Sequence, residues 1–115
     1  MSKRNPEVLL ADILNAMEKI SRYTTGIDHA EFLIDDKTID AVARNIGIIG
    51  EVASQLPDDF KNANPGIPWS QVKGMRNRII HDYFGLDLEI LWEVIQHDLP
   101  DLESRVREIT ATLPE

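Results

Sequence analysis

Met75-Arg76-Asn77-Arg78-Ile79-Ile80-His81-Asp82-Tyr83-Phe84-Gly85 sets a guanidinium, an imidazole and a phenol inside an otherwise apolar, helix-like segment. With Trp69 and Val72 upstream, the positions Met75, Ile79, Ile80 and Tyr83 fall three and four apart, which predicts an amphipathic helix. At about 100° per residue they fill one arc of the helix, and Arg76 falls inside it. A guanidinium turned toward packed surface is costly unless it is paired or put to use. His81 sits roughly 140° from Arg76, on the side it shares with Asn77 one turn earlier. One helix then presents two polar groups to two neighbours. Such a site needs a second element or a second chain to complete it.

Working outward, Pro68 opens this helix and Gly85 is placed to close it. Before it, Asn62-Ala63-Asn64-Pro65-Gly66 is a loop by its turn residues. Further upstream a long helix begins near Asp36 and runs to Pro57. Ile39, Val42, Ile46, Ile49, Ala53 and Leu56 form a seam along it that suits close helix packing. Asp28-His29-Ala30-Glu31 reads as a capping box opening a short turn with Phe32 and Leu33. The first helix starts at Asn5-Pro6, with Asn5 as the capping side chain, carries Leu9, Leu10, Ile13, Met17 and Ile20, and stops at Gly26. Downstream, Asp87 can cap a helix whose Leu88, Leu91, Val94 and Ile95 face inward. Pro100 either kinks that helix or divides it from a last one holding Leu102, Val106, Ile109 and Leu113. No alternating β pattern appears. The expectation is one domain over residues 1–115, an all-α, up-and-down bundle of four to five helices.

Composition narrows the function classes. A chain of 115 residues, 43% hydrophobic, can bury a core without staples. It has no cysteine, which excludes disulfides and zinc-thiolate sites. No apolar run reaches membrane-spanning length and the first residues lack a signal-type apolar stretch, so a cytoplasmic address is expected. The net charge of −8 speaks against bulk, non-specific nucleic-acid binding, though not against a small local site. Lys73, Arg76 and Arg78 make a basic island whose members do not share one face of a single helix. His29, His81 and His97 lack metal-ligand spacing, and the six glycines hold no phosphate-binding fingerprint. Gly47-x-x-Gly50 lies inside a helix and reads as packing. A site without metal or cofactor is the economical expectation.

Arg followed by Asn, then His five positions after the Arg and Tyr two beyond, resembles the Arg-x4-His-x-Tyr signature of HEPN-domain proteins, specifically the HepT toxin group. A bare Arg-x4-His is weak. Here the flanks resemble that group too: the run from Arg44 to Ala53, then Ile67-Pro68-Trp69, Phe84-Gly85, and the stretches from Asp87 to Trp92 and Asp98 to Pro100. The likeness extends from about Leu9 to about Leu102 and implies a HEPN-type bundle. It also implies a metal-independent endoribonuclease toxin of a two-gene module, cutting RNA (tRNA among the candidate substrates) by attack of the 2′-hydroxyl on the adjacent phosphate. Arg76 would steady the developing charge, His81 handle the proton and Asn77 orient. Tyr83 would accept AMP from a partner MNT-type nucleotidyltransferase antitoxin. A homodimer would bring Arg76 and His81 of both chains into one cleft.

Each residue also has a plainer reading. Arg76 could be a structural arginine salt-bridged in the core, and from spacing alone the two readings stand about even. His81 could be a surface histidine, and Tyr83 a core tyrosine with its hydroxyl at the rim. Glu51 shares a face with Arg44 and Gly47; a solvated charged face is the common explanation, with a supporting role beside the site as the other. Gly47 leaves room for another helix, at a dimer contact or beside the motif. The rival function is a non-catalytic helical subunit that binds nucleotide or the nucleotidyltransferase, which the acidic charge mildly favours.

Overall fold

The computed structural model describes residues 5–80 and 85–113. Among them the chain is helical, with one isolated antiparallel bridge, Ile80 to Leu86, and no strand. No described helix is long and apolar enough to cross a membrane.

Pro6 stands at the first position of α1 (Pro6–Thr24). Asn5 occupies the cap position in extended backbone, yet its side chain makes no capping bond, contrary to the sequence reading. Its carbonyl instead accepts from Val8 and Leu9 N–H, and Pro6 has no N–H to satisfy. After Gly26, whose φ of 80° is cheap only for glycine, the expected capping box forms. Asp28 accepts from Glu31 N–H at 2.8 Å and Glu31 accepts from Asp28 N–H at 3.0 Å, opening α2 (His29–Leu33). α2 seats Phe32, fully buried, against Trp92, with ring centroids 5.2 Å apart.

α3 (Asp36–Ser54) is capped by Asp35, which accepts from both the amide and the hydroxyl of Thr38. The Thr38 hydroxyl, and then its amide, hold the Asp35 carboxyl below its ordinary value. All six seam residues from Ile39 to Leu56 are buried. α1 packs on α3 more extensively than any other pair of described elements do, and the last helix (α8, Leu99–Thr112) packs on α1. Each Leu or Ile so buried contributes about 1.5–3 kcal/mol before entropy is counted.

A short α4 (Asp58–Ala63) occupies part of the expected loop, and its Phe60 packs near Trp69. From Leu88 to Thr112 the chain is continuously helical. α7 (Leu88–Glu93) is capped by Asp87, as expected, and passes through a π-helical turn (Val94–Asp98) into α8 (Leu99–Thr112). Pro100 does not end this run. The widened turn, in which Leu99 N–H reaches Val94 O, comes directly before it, so Pro100 falls at the start of α8 where a missing N–H costs least.

Candidate active site

The decisive stretch is not one helix. α5 (Trp69–Lys73) and α6 (Met75–Ile79) are separated at Gly74, whose φ of −86° and ψ of 1° flatten the backbone. Glycine is the weakest helix former short of proline, and it permits this break at little cost. α6 then stops at Ile79. Ile80 is extended, Asp87 N–H donates to Ile79 O at 2.7 Å, and Ile80 bridges to Leu86. The flanks of residues 81–84 are thereby tied together at the end of α6. Gly85 lies well past the helix end it was expected to mark.

One correction follows. Arg76 does not lie in a buried arc: Val72, Met75 and Ile79 point into the core, while Arg76, Asn77 and Arg78 are exposed. The break at Gly74 removes the common helical phase on which that placement depended. α6 ends at Ile79, and the expected pairing of Asn77 with His81 reaches beyond the described residues. His81, Tyr83 and Phe84 lie outside the described residues. Ile80, counted with the apolar arc, is 36% exposed.

Arg76 has a defined seat. A Cβ built on Gly47 of α3 would stand 3.4 Å from Arg76 Cδ and 3.8 Å from its Nε, so the side chain lies across the bare backbone of that glycine. One turn on, a Cβ on Gly50 would stand 3.1 Å from the carbonyl oxygen of Lys73 and 3.4 Å from that of Val72. Gly47-x-x-Gly50 is thus a packing pair, and what packs on it is the motif of the same chain. Lys73, Arg76 and Asn77 face Gly47, Gly50, Glu51 and Ser54 across an open cleft of about 200 Å³. Arg78, two residues beyond Arg76, turns to the other flank and bonds Asp98 of the π turn at 2.7 Å. At that exposure the pair is worth at most about 1 kcal/mol, but it ties α6 to the terminal helical run.

The structure brings together Arg76, Asn77 and Glu51 of the sequence-predicted site. Arg76, Lys73 and Glu51 form no ion pair with any described residue, so the salt-bridged structural reading of Arg76 finds no partner there. An unpaired guanidinium keeps its planar fork of donors for a phosphate or carboxylate, and Lys73 adds a mobile second charge. Sequence reasoning did not place Lys73 in this cleft; the glycine pair on α3, three apart and facing a basic segment, was the available signal. It also missed Asn45, 3% exposed, which donates to Ala41 O at 2.9 Å while its Oδ1 has no partner. Among the described residues no group of three or more His, Asp or Glu is placed to hold a metal ion.

The arrangement is a helical bundle with an exposed arginine laid over a glycine of the neighbouring helix; comparison with known proteins supplies the family. A family model described as ribonuclease HepT-like matches residues 13–109. The "Probable ribonuclease HepT" of Thermococcus cleftensis is 40% identical over 107 residues, 93% of this chain and 97% of that protein. A "Putative RNase" of Methanocaldococcus jannaschii is 38% identical, covering 95% of this chain and 90% of its own. Another of that name, from Caldanaerobacter subterraneus, is 36% identical over 92% and 95%. No solved structure matches significantly. The chain belongs to the HepT-like family of the HEPN superfamily.

Proposed function

We propose that this protein is a metal-independent endoribonuclease, the toxin of a two-gene module. The observation that carries the reading is Arg76, exposed, without an ion-pair partner among the described residues and seated on Gly47 beside Lys73 and Asn77. In the proposed reaction the 2′-hydroxyl attacks the adjacent phosphorus, and His81 takes the hydroxyl proton or donates one to the leaving 5′-oxygen. The P–O5′ bond breaks, leaving a 2′,3′-cyclic phosphate and a 5′-hydroxyl. Arg76 stabilises the charge that builds on the non-bridging oxygens, and Asn77 orients. Purified wild-type protein should degrade RNA in EDTA, and His81→Ala should lower the rate by about 10²–10⁴-fold. Equal rates for the two proteins would remove His81 from the mechanism.

A twofold dimer with the two motifs facing each other is part of this reading, supported by the exposed Ile80 next to the site. A monomer in sedimentation at micromolar concentration would end that part. Regulation follows from the same chemistry. The Tyr83 phenolate would attack the α-phosphate of ATP on a partner nucleotidyltransferase, releasing pyrophosphate. The new phosphodiester would bring negative charge beside Arg76 and fill the cleft. Intact mass after incubation with ATP and the partner should show an adenylyl adduct on wild type and none on Tyr83→Phe, which should stay toxic. Neutralisation of an unmodified wild-type protein would point to inhibition by complex formation instead.

A further inference from the structure

The described cations divide in an uneven way. Arg22, Lys61, Arg78, Arg105 and Arg107 each sit within ion-pair distance of a carboxylate, respectively Glu18, Asp58, Asp98, Asp101 and Glu103. Lys19, Lys37, Arg44, Lys73 and Arg76 do not. Lys73 and Arg76 line the cleft on α3. Arg44 and Lys37 are exposed on α3 itself, on the side that carries Gly47: Arg44 one turn before that glycine, Lys37 two turns before Arg44. From Lys37 to Gly47 is roughly 15 Å along the helix axis. In a chain of net charge −8, four of the five unpaired cations among the described residues therefore form one track that runs along α3 through Arg76.

We infer that Lys37 and Arg44, with Lys73, hold the backbone of a single RNA strand as it leaves the cleft, so that the substrate is an extended strand rather than an isolated dinucleotide. This rests on the ribonuclease reading and adds to it a substrate-positioning surface on α3. Phosphates spaced along a strand neutralise unpaired cations at intervals, which anchors the chain without reading its sequence. Lys37, roughly 15 Å along α3 from Gly47, lies too far to reach the phosphate that Arg76 holds, and Arg44 does not line the cleft. Their contribution should appear in binding and in the Michaelis constant rather than in turnover. Asp40 and Glu51 share this face, and neither pairs with its neighbours. They set an opposing field, so Asp40→Asn should tighten RNA binding.

The test uses a fluorescein-labelled oligodeoxyuridylate, which lacks the 2′-hydroxyl and so reports binding apart from cleavage. Alanine is a good helix former at these exposed sites, so Lys37→Ala/Arg44→Ala should stay folded. That double variant should bind roughly tenfold more weakly, with the slope of log K against log salt reduced by about 0.7 per cation removed. Lys19→Ala, an unpaired cation on α1, should bind as wild type does. On RNA, the double variant should raise KM for an oligoribonucleotide while leaving kcat, and the cleavage of a uridylyl-uridine dinucleotide, unchanged. Binding by the double variant equal to that of Lys19→Ala would overturn the inference and leave the track for an acidic protein partner. Weakened binding without cleavage of any RNA by wild type would uphold the track and sink the ribonuclease reading.

Discussion

Arg76→Ala is expected to cleave RNA about 10²–10³-fold more slowly than wild type, the usual consequence of removing one donor aimed at developing negative charge. Its melting temperature should stay near that of wild type. Arg76 is exposed and makes no ion pair with a described residue, and surface substitutions of that kind stay within about 0.5 kcal/mol. Arg76→Lys should recover part of the rate, because it restores the charge but not the planar fork that spans two phosphate oxygens. Parallel measurement of cleavage and thermal unfolding separates this account from a structural one. A variant that unfolds early, or one that cleaves at the wild-type rate, would remove Arg76 from the chemistry.

Gly50→Val is expected to cost about 1–3 kcal/mol and to lower the melting temperature by roughly 4–12 °C. The first atom it adds would meet the Lys73 carbonyl at 3.1 Å and the Val72 carbonyl at 3.4 Å, and backbone cannot turn aside as a side chain can. α5 must move off α3, carrying Lys73 and the start of α6 with it, so cleavage should fall together with stability. Gly47 offers the contrast. Its nearest neighbour is the flexible stem of Arg76 at 3.4 Å, so Gly47→Ala should fit and leave the fold intact. Thermal unfolding of the two variants checks the crossing. A Gly50→Val protein as stable as wild type would show that α5 does not press on α3 as described.

The parts of this fold that were legible in the sequence rest on strong local signals. The α3 seam repeats at helical spacing over five turns, and every member is buried. Asp28 with Glu31, and Asp87 before Ile90, are caps whose partners lie three residues away, and both form. The failures share a cause. Gly74 divides the motif into two short helices that both pack on α3, the second also against α7, a tertiary demand that periodicity does not carry. Arg76 accordingly lies on Gly47 and not in the core. Pro100 could be a kink or a boundary on local rules, whereas the preceding π turn absorbs it. Asn45 is buried with its amide oxygen unpaired, which no pattern announces. Glu51 shares the cleft with Arg76, and what was legible there was only the face, shared with Gly47, on which it lies.

The central claim is that a 2′-hydroxyl, steered by Arg76 and His81, cuts RNA without a metal ion. End-group analysis of the products formed in EDTA tests it most directly, using an oligoribonucleotide and its counterpart with deoxyribose at the scissile position. The account predicts 2′,3′-cyclic phosphate and 5′-hydroxyl ends from the first and no cleavage of the second. Products with 3′-hydroxyl and 5′-phosphate ends, or cutting at the deoxyribose position, would contradict it.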